Sequence, residues 1–115
     1  MFSGMLLSAC KVTSLEPKAF DASLKKDNGM LVDVRTPGEY SEEHIRGATM
    51  INYQDDTFKD QINKLDKNKP VYLYCRSGKR SAAAQEVMVK EGFKKVIHLK
   101  GGITAWKNEG LPTEK

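Results

Sequence analysis

Apolar residues along the chain form short continuous runs that alternate with longer stretches of spaced apolar positions. Runs bounded by turn residues read as strands buried on both faces, and spacings of three and four read as helices with one inward face. Lys11 to Leu15 predicts a short edge strand. Pro17 suits a first helical position, and Ala19, Phe20, Ala22 and Leu24 predict a short amphipathic helix that Asn28-Gly29 stops. Met30 to Val34 predicts a buried strand, Glu39 to His44 a helical turn or two, and Gly47 a bend. Thr49 to Tyr53 reads as a second buried strand, and Phe58, Ile62 and Leu65 as one helix face. Pro70 closes a loop before the strand Val71 to Tyr74, with Tyr72 and Tyr74 packing on one face. Lys79 to Glu91 predicts a helix with Ala83 and Val87 inward, Gly92 as its cap and Phe93 as the hydrophobic partner of that cap. Val96 to Leu99 is the next strand. Gly101-Gly102 then turns into a last helix carrying Ile103 and Trp106.

Strands alternating with helices at this spacing predict an α/β fold, with a mostly parallel central sheet flanked by helices on both faces. Ligands of such sheets bind outside the carboxyl ends of the strands. That rule points to the segment after Tyr74.

Composition narrows the class. The 115 residues make about one domain, 39% apolar and 30% charged, with two cysteines. This excludes a multidomain machine, a disulfide-stapled mini-protein and a Cys-rich zinc module. No apolar run reaches the roughly 18 residues needed to cross a bilayer. The net charge of +4 is spread along the chain, and basic residues are not clustered with aromatics as nucleic-acid binding requires. One stretch differs: residues 75–81 hold Arg76, Lys79 and Arg80 and no acid.

Cys75-Arg76-Ser77-Gly78-Lys79-Arg80-Ser81 lies between a predicted strand and a predicted helix. A helix N-terminus presents unpaired N–H groups and the positive end of a dipole. Gly78 lets successive N–H groups turn inward as an anion-binding nest. With three cations nearby, the setting favours thiolate over thiol, and Cys75 is the candidate nucleophile.

Three motifs carry a resemblance. They are Asp33-Val34-Arg35 with Glu39-Tyr40 and His44 to Ala48, the loop from Cys75 to Ser81, and Leu99 to Gly102 followed by Ala105-Trp106. In this order and spacing the chain resembles the single-domain rhodaneses, a sulfurtransferase family, over residues 15–112. The resemblance implies a rhodanese fold over residues 11–115. It implies a Cys75 persulfide charged by a small anionic sulfur donor such as thiosulfate and discharged to a thiol, cyanide or a protein. It places the persulfide among the N–H groups of Arg76, Ser77, Gly78, Lys79 and Arg80, makes the side chains of Arg76, Lys79 and Arg80 candidates to attract the anionic donor, and has Asp33 and Arg35 brace the loop. No metal or other cofactor is implied, and the expected form is a monomer. Arg35 and Glu39, four apart, are expected to pair. His44 and His98 are expected to be structural, and Trp106 a core anchor.

Two other readings stand beside this one. Phosphatases that share the fold have a loop one residue longer, with Arg six positions after Cys. Here Ser81 takes that position and Arg80 comes one early. A non-enzymatic binding module, or a persulfide carrier serving a partner, would use the same fold. Residues Met1 to Ala9 are apolar and uncharged, and Leu7 to Cys10 resembles the end of a bacterial lipoprotein signal. They are either the tail of a longer signal, giving an envelope lipoprotein anchored through Cys10, or a leader on a cytoplasmic protein.

Overall fold

The computed structural model describes residues 11–115, so the expectations for the leader and for Cys10 lie outside the described residues. Five parallel strands form one sheet in the order β1-β5-β4-β2-β3. They are β1 (Lys11–Leu15), β2 (Met30–Asp33), β3 (Thr49–Met50), β4 (Val71–Tyr74) and β5 (Lys95–Leu99). The helices are α1 (Pro17–Asp27), α2 (Pro37–Glu42), α3 (Phe58–Ile62), α4 (Lys79–Lys90) and α5 (Gly102–Asn108).

The alternation of side chains along β4 divides the core in two. Val71, Leu73 and Cys75 point into one cluster with Phe58, Ile62, Ala84 and Met88, beneath α3 and α4. Tyr72 and Tyr74 point into the other, with Phe20, Ile103 and Trp106, beneath α1 and α5. Phe20 is wholly buried, which for a side chain of this size stabilises by about 1.5–3 kcal/mol. It meets Tyr72 and Trp106 edge-on. Trp106 anchors the core as expected, and its Nε1–H donates to the Pro112 carbonyl at 2.8 Å.

Several expected boundaries shift, each for a local reason. The helix expected over Glu39 to His44 runs over Pro37–Glu42, because Thr36 caps it. The Thr36 hydroxyl accepts from the Glu39 N–H, the Glu39 carboxylate accepts from the Thr36 N–H, and Pro37 occupies the first position. The strand expected over Thr49 to Tyr53 keeps only two residues, neither of them buried. It is an edge strand beside β2, and Asn52 turns the chain by accepting from the Gln54 N–H at 3.0 Å. In α1, Phe20 is buried and Leu24 half-buried, whereas Ala19 and Ala22 are exposed. In α4 the buried face is Ser81, Ala84, Gln85 and Met88, and Ala83 and Val87 are half-buried. Polar residues take the inward positions because the edge of the sheet needs them. The Gln85 amide donates to the Thr13 and Val96 carbonyls at 2.9 Å each. The Gly92 cap is as expected. Its N–H bonds Val89, and the Phe93 N–H bonds Met88, the paired pattern that ends a helix on a left-handed residue.

Candidate functional site

The three sequence motifs follow the carboxyl ends of β2, β4 and β5, the three inner strands, and meet there. Cys75 leaves β4 and is 1% exposed. Gly78, at φ +104°, turns the chain so that its N–H points back to the Cys75 sulfur at 3.1 Å. No side chain caps α4. The sulfur takes the cap's place as acceptor for the helix's unpaired N–H groups.

Burial pushes the Cys75 thiol up. The Ser81 hydroxyl and the backbone N–H groups of Ser81, Gly78 and Ser77 outweigh it, and the net displacement is below the ordinary value. The thiolate is therefore favoured mainly by hydrogen bonds. The charge of the neighbouring cations ranks behind them.

Those cations divide. Arg76 and Lys79 are exposed, and among the described residues neither forms an ion pair. Arg80 is clamped by Glu39 through two bonds, Nη1 to Oε1 at 2.8 Å and Nη2 to Oε2 at 2.9 Å. The expected Arg35–Glu39 pair does not form. Arg35 turns back to Asp33, donating through Nε at 2.9 Å and Nη2 at 2.7 Å, and reaches the Glu43 carbonyl at 2.6 Å. Both members of that pair are buried. Asp33 and Arg35 thus hold the end of α2, and α2 in turn carries the residue that holds Arg80. α5 and the chain after it support the end of the same helix, since the Lys107 ammonium of α5 and the Thr113 hydroxyl beyond it both donate to Glu43.

Arg80, with the Thr36 N–H and hydroxyl, holds the Glu39 carboxyl down from 4.5 to about 2, against the opposing effect of burial. A carboxylate depressed in the folded state stabilises above its unfolded value, and that contribution is lost as pH falls through its folded value. Glu39→Gln is therefore expected to flatten the loss of stability between pH 4.5 and 2. Thermal midpoints taken across that range check it, and parallel curves for the two proteins would contradict the assignment.

The third motif holds the loop from behind. The first N–H groups of α5 bond its carbonyls, Ile103 to Cys75 at 2.9 Å and Thr104 to Arg76 at 3.2 Å. With those carbonyls turned outward, the loop N–H groups face the sulfur. Gly102 allows this approach: a Cβ there would lie 2.3 Å from the Arg76 carbonyl oxygen. Beside the loop, Arg76, Thr104, Lys107 and Glu43 line a charged recess of about 90 Å³.

Sequence reasoning missed two participants. Ser81, noted only as standing where a phosphatase has Arg, is fully buried with its hydroxyl near the sulfur. Its place in the first helical turn was the available signal. The Glu39 clamp was foreshadowed by Thr36 and Glu39, a capping box in sequence. His44 is structural as expected, stacked on Tyr40 with Nδ1 2.9 Å from the Tyr40 carbonyl.

A family model for the rhodanese-like domain matches residues 16–109. The chain is 37% identical over 84 residues to a protein of Coxiella burnetii named thiosulfate sulfurtransferase GlpE, covering 73% of this chain and 77% of that one. It is 39% identical over 82 residues to a Mycobacterium tuberculosis protein named probable adenylyltransferase/sulfurtransferase MoeZ. That match covers 71% of this chain but spans only 21% of its relative's length. Among solved structures, a rhodanese-like domain protein from Staphylococcus aureus superposes with a TM-score of 0.75 at 31% identity, covering 90% of this chain and 99% of that one.

Proposed function

Since the chain belongs to the rhodanese-like domain family, and its relatives include proteins named sulfurtransferase, we propose that its residues 11–115 act as one catalytic domain that moves sulfane sulfur through a persulfide on Cys75. The observation that carries this reading is the shielded Cys75 sulfur facing backbone donors at the start of α4, with the Gly78 N–H at 3.1 Å. A thiolate so placed is a nucleophile inside an anion cradle.

With thiosulfate as donor, the thiolate attacks the outer sulfur. A new S–S bond forms to Cys75 as the S–S bond of thiosulfate breaks, and sulfite leaves with the bonding pair. The terminal persulfide sulfur then carries the negative charge, and the N–H groups of Ser77, Gly78 and Ser81 favour that charge as they favour the thiolate. In the second half an acceptor nucleophile attacks the terminal sulfur and the Cys75 thiolate is the leaving group. Cyanide would leave as thiocyanate and a thiol as its own persulfide. This is two-step covalent catalysis with no cofactor. Arg76 and Lys79, which form no ion pair among the described residues, are the cations that draw an anionic donor, while Arg80 supports the loop from its place on Glu39. The same clamp argues against the phosphatase reading, which needs a free guanidinium for phosphoryl oxygens.

Incubation with thiosulfate is expected to add one sulfur atom to the intact mass, on the peptide that contains Cys75, and cyanide to remove it. No adduct from thiosulfate or any other sulfane donor would overturn the enzymatic reading and leave a binding module. Loading by another donor but never by thiosulfate would make the chain a persulfide carrier.

A further inference from the structure

Ser81 is fully buried, and its hydroxyl has one proton for three neighbours. The Gly78 carbonyl lies 3.2 Å from Oγ, and His98 Nδ1 lies 3.0 Å from it. The third neighbour is the Cys75 sulfur, whose anionic form that hydroxyl favours. The hydroxyl donates in one direction at a time, so the state of Nδ1 decides where its proton goes. A bare Nδ1 takes the proton, and the sulfur loses a donor. A protonated Nδ1 donates to an Oγ lone pair and leaves the hydroxyl proton for the carbonyl or the sulfur. An anionic sulfur is then favoured, because hydrogen bonds to charged acceptors are the stronger ones.

From this geometry we infer that His98 is a positioning residue, whose Nδ1–H directs the Ser81 hydroxyl toward Cys75 and so holds the sulfur in the anionic form that accepts the transferred atom. The inference rests on Cys75 being the sulfur carrier. His98 sits on β5 in register with Ser14 of β1 and Leu73 of β4, neither of them charged. From the other side the loop and the start of α4 bring Gly78 and Ser81 against the ring. The cation that interacts with the sulfur is Arg80, held on Glu39. Burial holds His98 below its ordinary value, so the ring is neutral at neutral pH and acts through its tautomer.

The test uses the full chain carrying Cys10→Ser, so that Cys75 is its one thiol. The Cys75 titration is read from the ultraviolet absorbance of the thiolate, which requires no sulfur transfer. His98→Leu is expected to lower the thiolate-to-thiol ratio at a given pH about tenfold, a rise of about one pKa unit. The same substitution is expected to add nothing once Ser81→Ala is present. An unchanged titration in His98→Leu overturns the inference. An equal loss in the Ser81→Ala background also overturns it, because His98 would then act on the sulfur without Ser81. A second measurement needs no change in the site. Nitrogen NMR of the labelled protein distinguishes the two histidines, and His98 is expected to carry its proton on Nδ1 when Cys75 is a thiolate. A bare Nδ1 in that state overturns the inference whatever the variants show. A protein that shows this coupling but takes sulfur from no donor would refute the transfer reading and leave the role of His98 on the thiol standing.

Discussion

Gly102→Ala is expected to lower sulfur transfer about a hundredfold while leaving the sheet folded. The reason is a collision with the backbone of the site itself. A Cβ at position 102 would lie 2.3 Å from the Arg76 carbonyl oxygen, 2.4 Å from its carbon and 2.6 Å from the Cys75 carbonyl oxygen. None of these atoms belongs to a flexible side chain. Either the loop or α5 must move, and the bonds from Ile103 to Cys75 and from Thr104 to Arg76 tie the two together. A displacement of about 1 Å is enough to spoil a reacting geometry by that factor. Gly102 also has φ +64°, which costs a non-glycine residue about 1–2 kcal/mol by itself. Gly47→Ala separates the two effects. Its φ is +86°, but a Cβ there meets nothing within 4 Å. It is expected to lose a similar amount of stability and keep its turnover. Thiosulfate-to-cyanide kcat/KM and thermal midpoints on both variants decide the matter. Full activity in Gly102→Ala would mean that α5 does not hold the loop in place. Equal losses in the two would reduce the effect to general backbone strain.

The convergence behind that prediction was legible in the chain. Strands of a parallel sheet covered on both faces read as uninterrupted apolar runs, and chemistry at their carboxyl ends follows from the topology. Cys75 after β4, Asp33 at the end of β2 and Gly101-Gly102 after β5 could therefore be assigned to one end of the sheet before any geometry was known. What resisted reading was the choice of partner. Arg35 had Glu39 four residues ahead, yet it folds back two residues to Asp33, because the chain after β2 is not helical there. That leaves Glu39 for Arg80, 41 positions away. The position of α2 decides this pairing, and α2 starts where Thr36 caps it rather than where charge alone suggests. Ser81 and His98 are likewise 17 positions apart and meet only because α4 packs on β5. Thr49 to Tyr53 has the composition of an inner strand, so the sequence predicts five residues where β3 has two. An edge position beside a four-residue β2 gives it a partner for only two residues.

Asp33→Ala is expected to destabilise the fold by about 3–5 kcal/mol, the cost of leaving a buried charge without its counterion. Domains of this size are stable by only about 5–15 kcal/mol, so the variant should lie near the edge of folding. Asp33 is 0% and Arg35 4% exposed in their side chains. The carboxylate accepts the Arg35 backbone N–H at 2.9 Å, Nε at 2.9 and 3.1 Å, and Nη2 at 2.7 Å. Without it, Arg35 keeps the Glu43 carbonyl and the face of Tyr74, 5.6 Å from its ring centre, and neither carries a compensating charge. Burial works against the guanidinium, and Asp33 is the first of the groups that keep it charged. The paired substitution Asp33→Leu with Arg35→Met removes both charges and is expected to recover most of the stability, since a buried ion pair and an apolar pair of similar volume are often nearly equivalent. Recovery of activity should lag behind. The Arg35 bond to Glu43 is lost in the double variant, α2 loosens, and Glu39 holds Arg80 less firmly. Denaturant unfolding measures the first effect and sulfur transfer the second. A loss below about 1 kcal/mol in Asp33→Ala would mean that water reaches Arg35 and screens it as at a surface. A double variant as active as the parent would mean that the loop keeps its geometry without the support of α2.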